Sequence, residues 1–549
     1  MLVRRLITFA LLVTIALSLI WLVAAALGAG GWSVGKALFF LCFAGTAPWT
    51  ALCATNALIG FTILMVARDP ARSVFAVEDR LPFPGAVPRT AIAVTVRNED
   101  MQTVLPPLRR LLDGLDAAGH GDAFTLFVLS DTQDAAAAQS EELAVTAFRA
   151  AYPHPDHIRY RRRTESAGFK AGNVMEFLDN HADGFELMLT LDADSAMSAR
   201  AVLRMIRAMA AEPQLAIVQH LIVGRPAASA FPRLFQFGMR AGMRTWATGQ
   251  AWWQGNDGPY WGHNAVVRIA PFRDICRLPR LPDGSEILSH DQVEAALLAG
   301  AGWKVRILPD EAGSAEANPP ALPEFVRRDA RWLAGNLQYW HLLKLPGINA
   351  MGRWQLVQAI LLFAGAPLYT LMFGLAAWLA ATGETAPAGR VAWAMLAWAL
   401  ALYAPKLLGY AEIFLKPAER ERYGGGKLFG QGAATEFVFT LLLDAIGAVS
   451  KTLAIIRLSL GMRQHWVAHN RADRGVGWWE ALHMLWPHTL FGVVCFTGFG
   501  LCGVIPILWV LPLGGGLLVS IPLCVLTADP EFSLWLRERD IAAIPEELT

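Results

Sequence analysis

The sequence predicts a multi-pass α-helical membrane protein with an inserted cytosolic α/β domain. Three observations carry that expectation. Of 549 residues, 54% are hydrophobic and only 17% charged, with a mean hydropathy of +0.37, whereas soluble domains carry about a quarter charged residues. Apolar runs long enough to cross a bilayer gather in residues 1–66 and 355–527. The stretch between them, 67–354, is more polar and alternates strand-like with helix-like patterns. The balance of 47 Lys+Arg against 46 Asp+Glu, net +1, gives no electrostatic basis for binding nucleic acid, and the apolar content excludes a disordered chain.

Leu6–Leu27 is an uncharged run of 22 residues, about 33 Å as a helix against a bilayer core of roughly 30 Å. It follows Arg4 and Arg5 and exceeds the roughly 7–15 apolar residues of a signal peptide. With a second run from Ala37 to Val66 it reads as an uncleaved anchor pair. The positive-inside rule puts Arg4 and Arg5 in the cytosol, so two crossings return the chain there at Arg68. Re-entry follows near Gln355–Ala381 and Val391–Gly409.

Lys416, Arg420, Arg422 and Lys427 mark one cytosolic loop, and Arg463, Arg471 and Arg474 another. The apolar segment 433–460 between them must then cross an even number of times or not at all. It holds Asp444 and Lys451, costly in mid-bilayer, so a hairpin, a re-entrant segment or an interfacial helix is expected. Those two charges either line a passage or pair. A last hairpin near 485–527, interrupted by Pro506 and Pro512, returns the tail 528–549 to the cytosol; six spans are expected, and the total depends on segment 433–460. The six cysteines form no CxxC pair and read as small buried hydrophobes.

In the insert, residues 90–96, 124–130, 186–191, 215–221 and 303–308 read as strands, with amphipathic helices at 134–151, 195–211 and 289–301 between them. Such alternation implies a mostly parallel sheet covered by helices, whose ligands bind beyond the strand carboxyl ends. Arg97-Asn98-Glu99, Asp131 and Asp192-Ala193-Asp194 follow three of these strands. Two carboxylates one residue apart can hold a divalent cation that bridges the phosphates of a nucleotide; the alternative is a solvated turn. Asp131 can accept hydrogen bonds from a base or ribose, and Lys170 can meet a uracil or phosphate oxygen. Asp291 opens a helix, where the dipole favours its ionised form and suits a general base; the alternative is a helix cap completed by Glu294. Arg331 can bind a phosphate bidentately and Trp332 offers an indole face for a sugar, although Arg and Trp also favour membrane surfaces. Trp252, Trp253, Tyr260 and Trp261 add aromatic surface for sugar stacking or for packing. Gly424-Gly425-Gly426-Lys427 lacks the P-loop spacing and reads as a connector or a lid.

Taken in order, Asn98-Glu99, Asp131, Lys170-Ala171-Gly172-Asn173, Asp192-x-Asp194, Ser289-His290-Asp291 with Gly302-Trp303, and Arg328-x-x-Arg331-Trp332 resemble the processive inverting glycosyltransferases of family 2, which include cellulose synthase. Residues 255–268, 288–303 and 327–340 are more narrowly similar to the bacterial synthases of osmoregulated periplasmic glucans. The resemblance implies a GT-A, Rossmann-like glycosyltransferase domain over 67–354, ending in interfacial helices. The catalytic domain would face the cytoplasm at the bacterial inner membrane.

It also implies roles. Glu99, Asp131 and Lys170 would contact the uridine of UDP-glucose, Asp192 the nucleotide, and Asp194 with Asp192 a Mg²⁺ or Mn²⁺ on the diphosphate. Asp291 would be the catalytic base and Arg331 would hold the leaving diphosphate. Trp332, Trp261 and His263 would meet the acceptor. Partners implied are UDP-glucose, the growing glucan chain, membrane lipid, and the periplasmic glucan biosynthesis proteins G and D with acyl carrier protein. Ser289-His290 stands where the family has Thr-Glu and Arg328 where it usually has Gln, so linkage is not carried over. The alternatives are a cellulose-like polysaccharide synthase, a single-addition transferase on a lipid-linked acceptor, and a nucleotide-sensing scaffold that does not turn over.

Overall fold

The computed structural model describes residues 1–75, 83, 85–384, 386–462 and 474–548. Arg463 and Arg471, expected in the second basic loop, lie outside them.

Runs rich in β-branched and aromatic residues suit a pleated, buried surface, and they form the strands. β1 (Thr90–Val96) and β2 (Phe124–Ser130) fall on the predicted residues, followed by β3 (Ile158–Arg162), β4 (Leu187–Asp192), β5 (Ala196–Met197), β6 (Leu215–His220), β7 (Val223–Gly224), β8 (Ala265–Arg268), β9 (Lys304–Leu308) and β10 (Ser314–Glu316). Seven of them make one sheet in the order β3-β2-β1-β4-β8-β6-β9, and β5-β10-β7 make a small second sheet. The large sheet is parallel except for β8, which runs antiparallel to β4 and β6. Sequence reading missed β3 because three of its five residues are Arg, and missed β8 and the two- and three-residue strands because so short a run carries no period.

Alternation along β1 sends Ile92, Val94 and Val96 into one apolar cluster and Ala91 and Ala93 into another, so both faces are covered, as parallel sheets require. The helices Met101–Ala117 and Ala199–Ala211 close the first face, and Phe169–Asn180 the second. β1 has β2 on one side and β4 on the other, so the strand order reverses there. Ligands of open α/β sheets bind at that kind of switch point, and Glu99 and Asp192 emerge beside it.

Among the described residues, five helices are long and apolar enough to cross a membrane: Leu2–Gly28, Val34–Val66, Ala350–Ala381, Gly426–Ser459 and Trp478–Leu501. Two bent pairs, Ala388–Leu402 with Ala404–Leu415 (68°) and Val504–Leu518 with Ser520–Thr527 (62°), raise the number to seven if each is one span. The α/β domain is seated on these helices by Ala230–Gln254. A Cβ on Gly60 would stand 1.8 Å from the Thr245 carbonyl oxygen, and one on Gly249 2.0 Å from that of Asn56. Only paired glycines permit so close an approach of two helix backbones.

The basic flanks meet the α/β domain. Arg5 bridges Asp257 at 2.5 Å and donates to the Gln254 carbonyl at 3.1 Å. Arg422 lies 3.7 Å from Glu311, and Arg474 bridges Glu324 at 2.8 Å. Segment 433–460 falls, but for its last residue, in the unbroken helix Gly426–Ser459, which is long and apolar enough to cross once; neither the hairpin nor the re-entrant segment holds, and the expectation of an even number of crossings fails with them. Lys451 pairs with Asp329 at 3.0 Å rather than with Asp444. Five cysteines are buried, but Cys502 is exposed at a helix end.

Candidate active site

Each strand end delivers one polar group to the switch point. After β1, Asn98 adopts a left-handed φ of 55°, and its N–H donates to Thr132 Oγ1 at 2.7 Å. That turn carries the half-buried Glu99. After β2, both Asp131 oxygens accept from Arg163, Nε and Nη2 each at 2.6 Å, with both side chains 8% exposed. Arg163 also donates to the carbonyls of Ala167 and Phe169, each at 2.9 Å, and so braces the start of the helix that bears Lys170. Asp131 therefore enters the site paired, with a residue that sequence reading did not single out.

Lys170 reaches across β1 to β4. Its Nζ forms an ion pair with Asp192 and donates to the Gly262 carbonyl at 2.9 Å. The Asp192 N–H donates to Ser195 Oγ at 3.0 Å, which orders the turn through Asp194. Ser195 Oγ is 3.3 Å from His263 Nδ1, and His263 Nε2 is 3.3 Å from a Glu316 carboxylate oxygen. Burial raises the Glu316 carboxyl above its ordinary range; His263 opposes the rise and Asp194 adds to it. Glu316 lies in β10, a three-residue strand more than 50 positions from His263, and no local pattern marks it.

Asp291 joins this group from another element. It is the first residue of the helix Asp291–Gly300, with His290 at the cap position and no side-chain capping bond, so the cap-and-box alternative does not hold. Glu294 instead takes His290 Nδ1 at 2.9 Å. Ile287 and Val293 pack against Tyr339 and Leu342, and Gln338 accepts the Leu288 N–H at 2.8 Å, which locks the approach to the helix. A Cβ on Gly262 would stand 3.5 Å from Asp291 Cβ and 3.6 Å from Lys170 Nζ, so Asp291, Lys170 and Asp192 share one pocket. Burial raises the Asp291 carboxyl; His290 lowers it, Glu294 raises it, and Lys170 lowers it. For His290 itself burial favours the neutral ring, but the charge and hydrogen bond of Glu294 prevail and its pKa stands above the ordinary value.

Arg331 and Trp332 lie on the helix Leu322–Leu342. Arg331 is half-buried and Trp332 is 46% exposed, with one ring face covered by the Arg328 guanidinium at 4.4 Å. The Trp261 N–H donates to Gln219 Oε1 at 2.8 Å. Its ring packs among Leu221, Ala247, Ala251 and Ile307 and lines a cavity of about 1150 Å³ that also meets Gln292, beside Asp291, and continues among the apolar helices past Trp246, Tyr369 and Trp398.

A divalent cation can be tested against these side chains. Among the described residues no group of three or more His, Cys, Asp or Glu forms a metal cage. A cation that is completed by substrate phosphates needs only one or two carboxylates, and Asp192 with Asp194 supplies two. The donor set fits the hard-cation class.

Residues 187–406 match the family described as Glycosyl transferase family group 2, and residues 91–276 match Glycosyl transferase family 2. The chain is 33% identical over 523 residues to Glucans biosynthesis glucosyltransferase H of Caulobacter vibrioides, covering 90% of this chain and 77% of that protein. The protein of the same name from Bradyrhizobium diazoefficiens is 33% identical over 94% of this chain and 71% of its own length. That of Xanthomonas campestris pv. campestris is 31% identical over 96% and 85%. Among solved structures, a mannosyltransferase from Pyrobaculum calidifontis in complex with GDP-Man and Mn²⁺ covers 76% of this chain and 100% of its own, with 17% identity and a TM-score of 0.41, a likeness too weak to argue from. With a mixed α/β sheet, a set of membrane-length helices and identity that runs through both, this chain is a membrane glycosyltransferase of family 2 and belongs to the glucans biosynthesis glucosyltransferase H family.

Proposed function

We propose that the chain is a processive inverting glucosyltransferase that polymerises glucose from UDP-glucose into the β-glucan backbone of osmoregulated periplasmic glucans. It works at the cytoplasmic face of the bacterial inner membrane and passes its product outward. The observation that carries this reading is the meeting of Asp291 with Lys170 and Asp192 across Gly262: a base on one helix faces a nucleotide-binding strand end on another element.

One in-line displacement suffices. Asp291 accepts the proton of an acceptor hydroxyl, the oxygen attacks the anomeric carbon, and the bond to UDP breaks with its electron pair leaving on the diphosphate. Inversion of an α-linked donor gives a β linkage. A positioned base contributes typically about 10²–10⁴-fold. Its burial raises its basicity toward that task. Glu99, Lys170 and the Asp131–Arg163 pair serve the uridine, and Arg331 holds the leaving diphosphate. Asp194, with Asp192, would hold Mg²⁺ or Mn²⁺, which when bound neutralises charge on that diphosphate. Trp332, Trp261 and the exposed part of His263 serve the acceptor.

The domains follow the same reading: 1–66 anchor, 67–354 catalytic, 355–527 membrane region and 528–549 tail. Basic flanks that touch the catalytic domain, Arg5 at Asp257 and Arg422 at Glu311, support its cytoplasmic placement by the positive-inside rule. The cavity that leads from Gln292 among the apolar helices supports outward passage of the polymer. Partnership with the periplasmic proteins G and D and acyl carrier protein rests on family resemblance alone.

The test is to incubate membranes holding the chain with labelled UDP-glucose and analyse the product linkages. A ladder of β-linked glucans with matching UDP release is expected. One sugar per lipid acceptor would replace this reading with a single-addition transferase, and absence of UDP release would replace it with a scaffold.

A further inference from the structure

Ser195 closes the turn that carries Asp192 and Asp194. Its N–H donates to the Asp192 carbonyl at 3.0 Å, and its buried hydroxyl accepts the Asp192 N–H at 3.0 Å. A hydroxyl that accepts one bond still has a proton to place. His263 Nδ1 lies 3.3 Å from it, with Asn264 Oδ1 at 3.4 Å on the same nitrogen. The second ring nitrogen, Nε2, is 3.3 Å from a Glu316 carboxylate oxygen. The imidazole is therefore held from both ends, and it cannot rotate without leaving either Ser195 or Glu316.

The small sheet sets Glu316 in that place. β10 pairs antiparallel with β5, Ala315 opposite Ala196 and Ser314 opposite Met197, so it runs beside the residues that follow Ser195. It pairs parallel with β7, Glu316 opposite Gly224. Asn264, the neighbour of His263, donates from Nδ2 to Ser314 Oγ at 3.0 Å and to the Ala315 carbonyl at 3.3 Å. Arg225 closes the other side: its N–H donates to the Glu316 carbonyl at 2.8 Å and its Nη1 to the Asp194 carbonyl at 3.4 Å. Backbone and side chain of Glu316 thus bear on one turn from two directions.

Two carboxylates that take a cation without a full cage depend on how firmly they are held. Partners that orient metal ligands from outside the ligand set are worth about 10–100-fold in metal affinity. A carboxylate on the far nitrogen of an imidazole is a common way to fix its orientation.

We infer that Glu316 is a positioning residue that, through His263 and Ser195, holds the Asp192–Asp194 turn in the shape that takes a cation-bound diphosphate. The inference rests on the UDP-glucose reading above.

The experiment is titration of the purified full-length chain with UDP, in Mn²⁺ and in chelator, for the parent, Glu316→Ala, Glu316→Gln, Ser195→Ala and the double variant of Glu316→Ala with Ser195→Ala. Glu316→Ala should weaken UDP about tenfold in Mn²⁺ and by less than about twofold in chelator, with Glu316→Gln recovering part of the loss. The double variant should lose no more than the worse of its two parents, because both substitutions break one chain of contacts. Unchanged UDP affinity in Glu316→Ala overturns the inference and returns His263 to the acceptor alone. Equal loss with and without Mn²⁺, which a merely structural residue gives, overturns it too, as do additive losses in the double variant. A parent chain that binds no UDP under either condition overturns the UDP-glucose reading itself, and the inference with it.

Discussion

Asp291 and Lys170 face each other across Gly262: a Cβ on that glycine would lie 3.5 Å from Asp291 Cβ and 3.6 Å from Lys170 Nζ. Gly262 holds a φ of 80°, a backbone state that other residues adopt at a cost of roughly 1–2 kcal/mol. The carboxylate on one helix and the ammonium on another thus reach the same pocket because the chain between them turns sharply and carries no side chain.

Asp291→Asn keeps the shape of the pocket and removes the proton acceptor. UDP affinity should stay within about twofold while glucan formation falls by about 10²–10⁴. Nucleotide titration and product assay on one preparation check both. Normal turnover in the variant would reduce Asp291 to a structural helix start.

Burial raises the Asp291 carboxyl above its ordinary value, against the charge of His290 and with that of Glu294. A base acts when deprotonated, so kcat should fall as pH drops through that raised value, above the ordinary aspartate pKa of about 3.9. Lys170, Tyr260 and Tyr339 also face this carboxylate. His290→Gln removes the cation that holds Asp291 down, so the acid limb of the kcat–pH profile should move to higher pH. A limb that moved lower would contradict the arrangement.

Asp194→Ala should weaken UDP-glucose binding in the presence of Mg²⁺ or Mn²⁺ and leave binding in chelator nearly unchanged. The comparison to make is affinity with and without cation in each protein. Equal cation dependence in parent and variant would remove Asp194 from the cation's ligands.

Arg163→Gln strands Asp131 in a site where both partners are 8% exposed. Breaking such a buried pair costs about 3–5 kcal/mol. Thermal unfolding in detergent should show a clear drop in Tm, and KM for UDP-glucose should rise because the helix start at Phe169 loses its brace. An unchanged Tm would mean that the pair is not a structural element of the site.

Membrane character, the paired apolar ends and five of the seven strands of the large sheet were legible in the sequence, because hydropathy and period are local properties that a short window records. β1 and β2 lie on the predicted residues, whereas β3 hid behind its arginines and β8 behind its brevity. The acids themselves, Asp131, Asp192, Asp194 and Asp291, stood out as strand ends and a helix start. Of their partners Lys170, which takes Asp192, stood out as well, whereas Arg163, which takes Asp131, did not.

What only the tertiary structure decided is which charge meets which. Parallel pairing of β1 with β2 and β4 brings groups dozens of residues apart to one edge, where Arg163 takes Asp131, Lys170 takes Asp192 and Glu316 takes His263. Coulombic interaction depends on distance and burial. Neither is written in the order of residues; both arise only when the strands pair and the helix that begins at Asp291 packs beside Gly262 and Lys170.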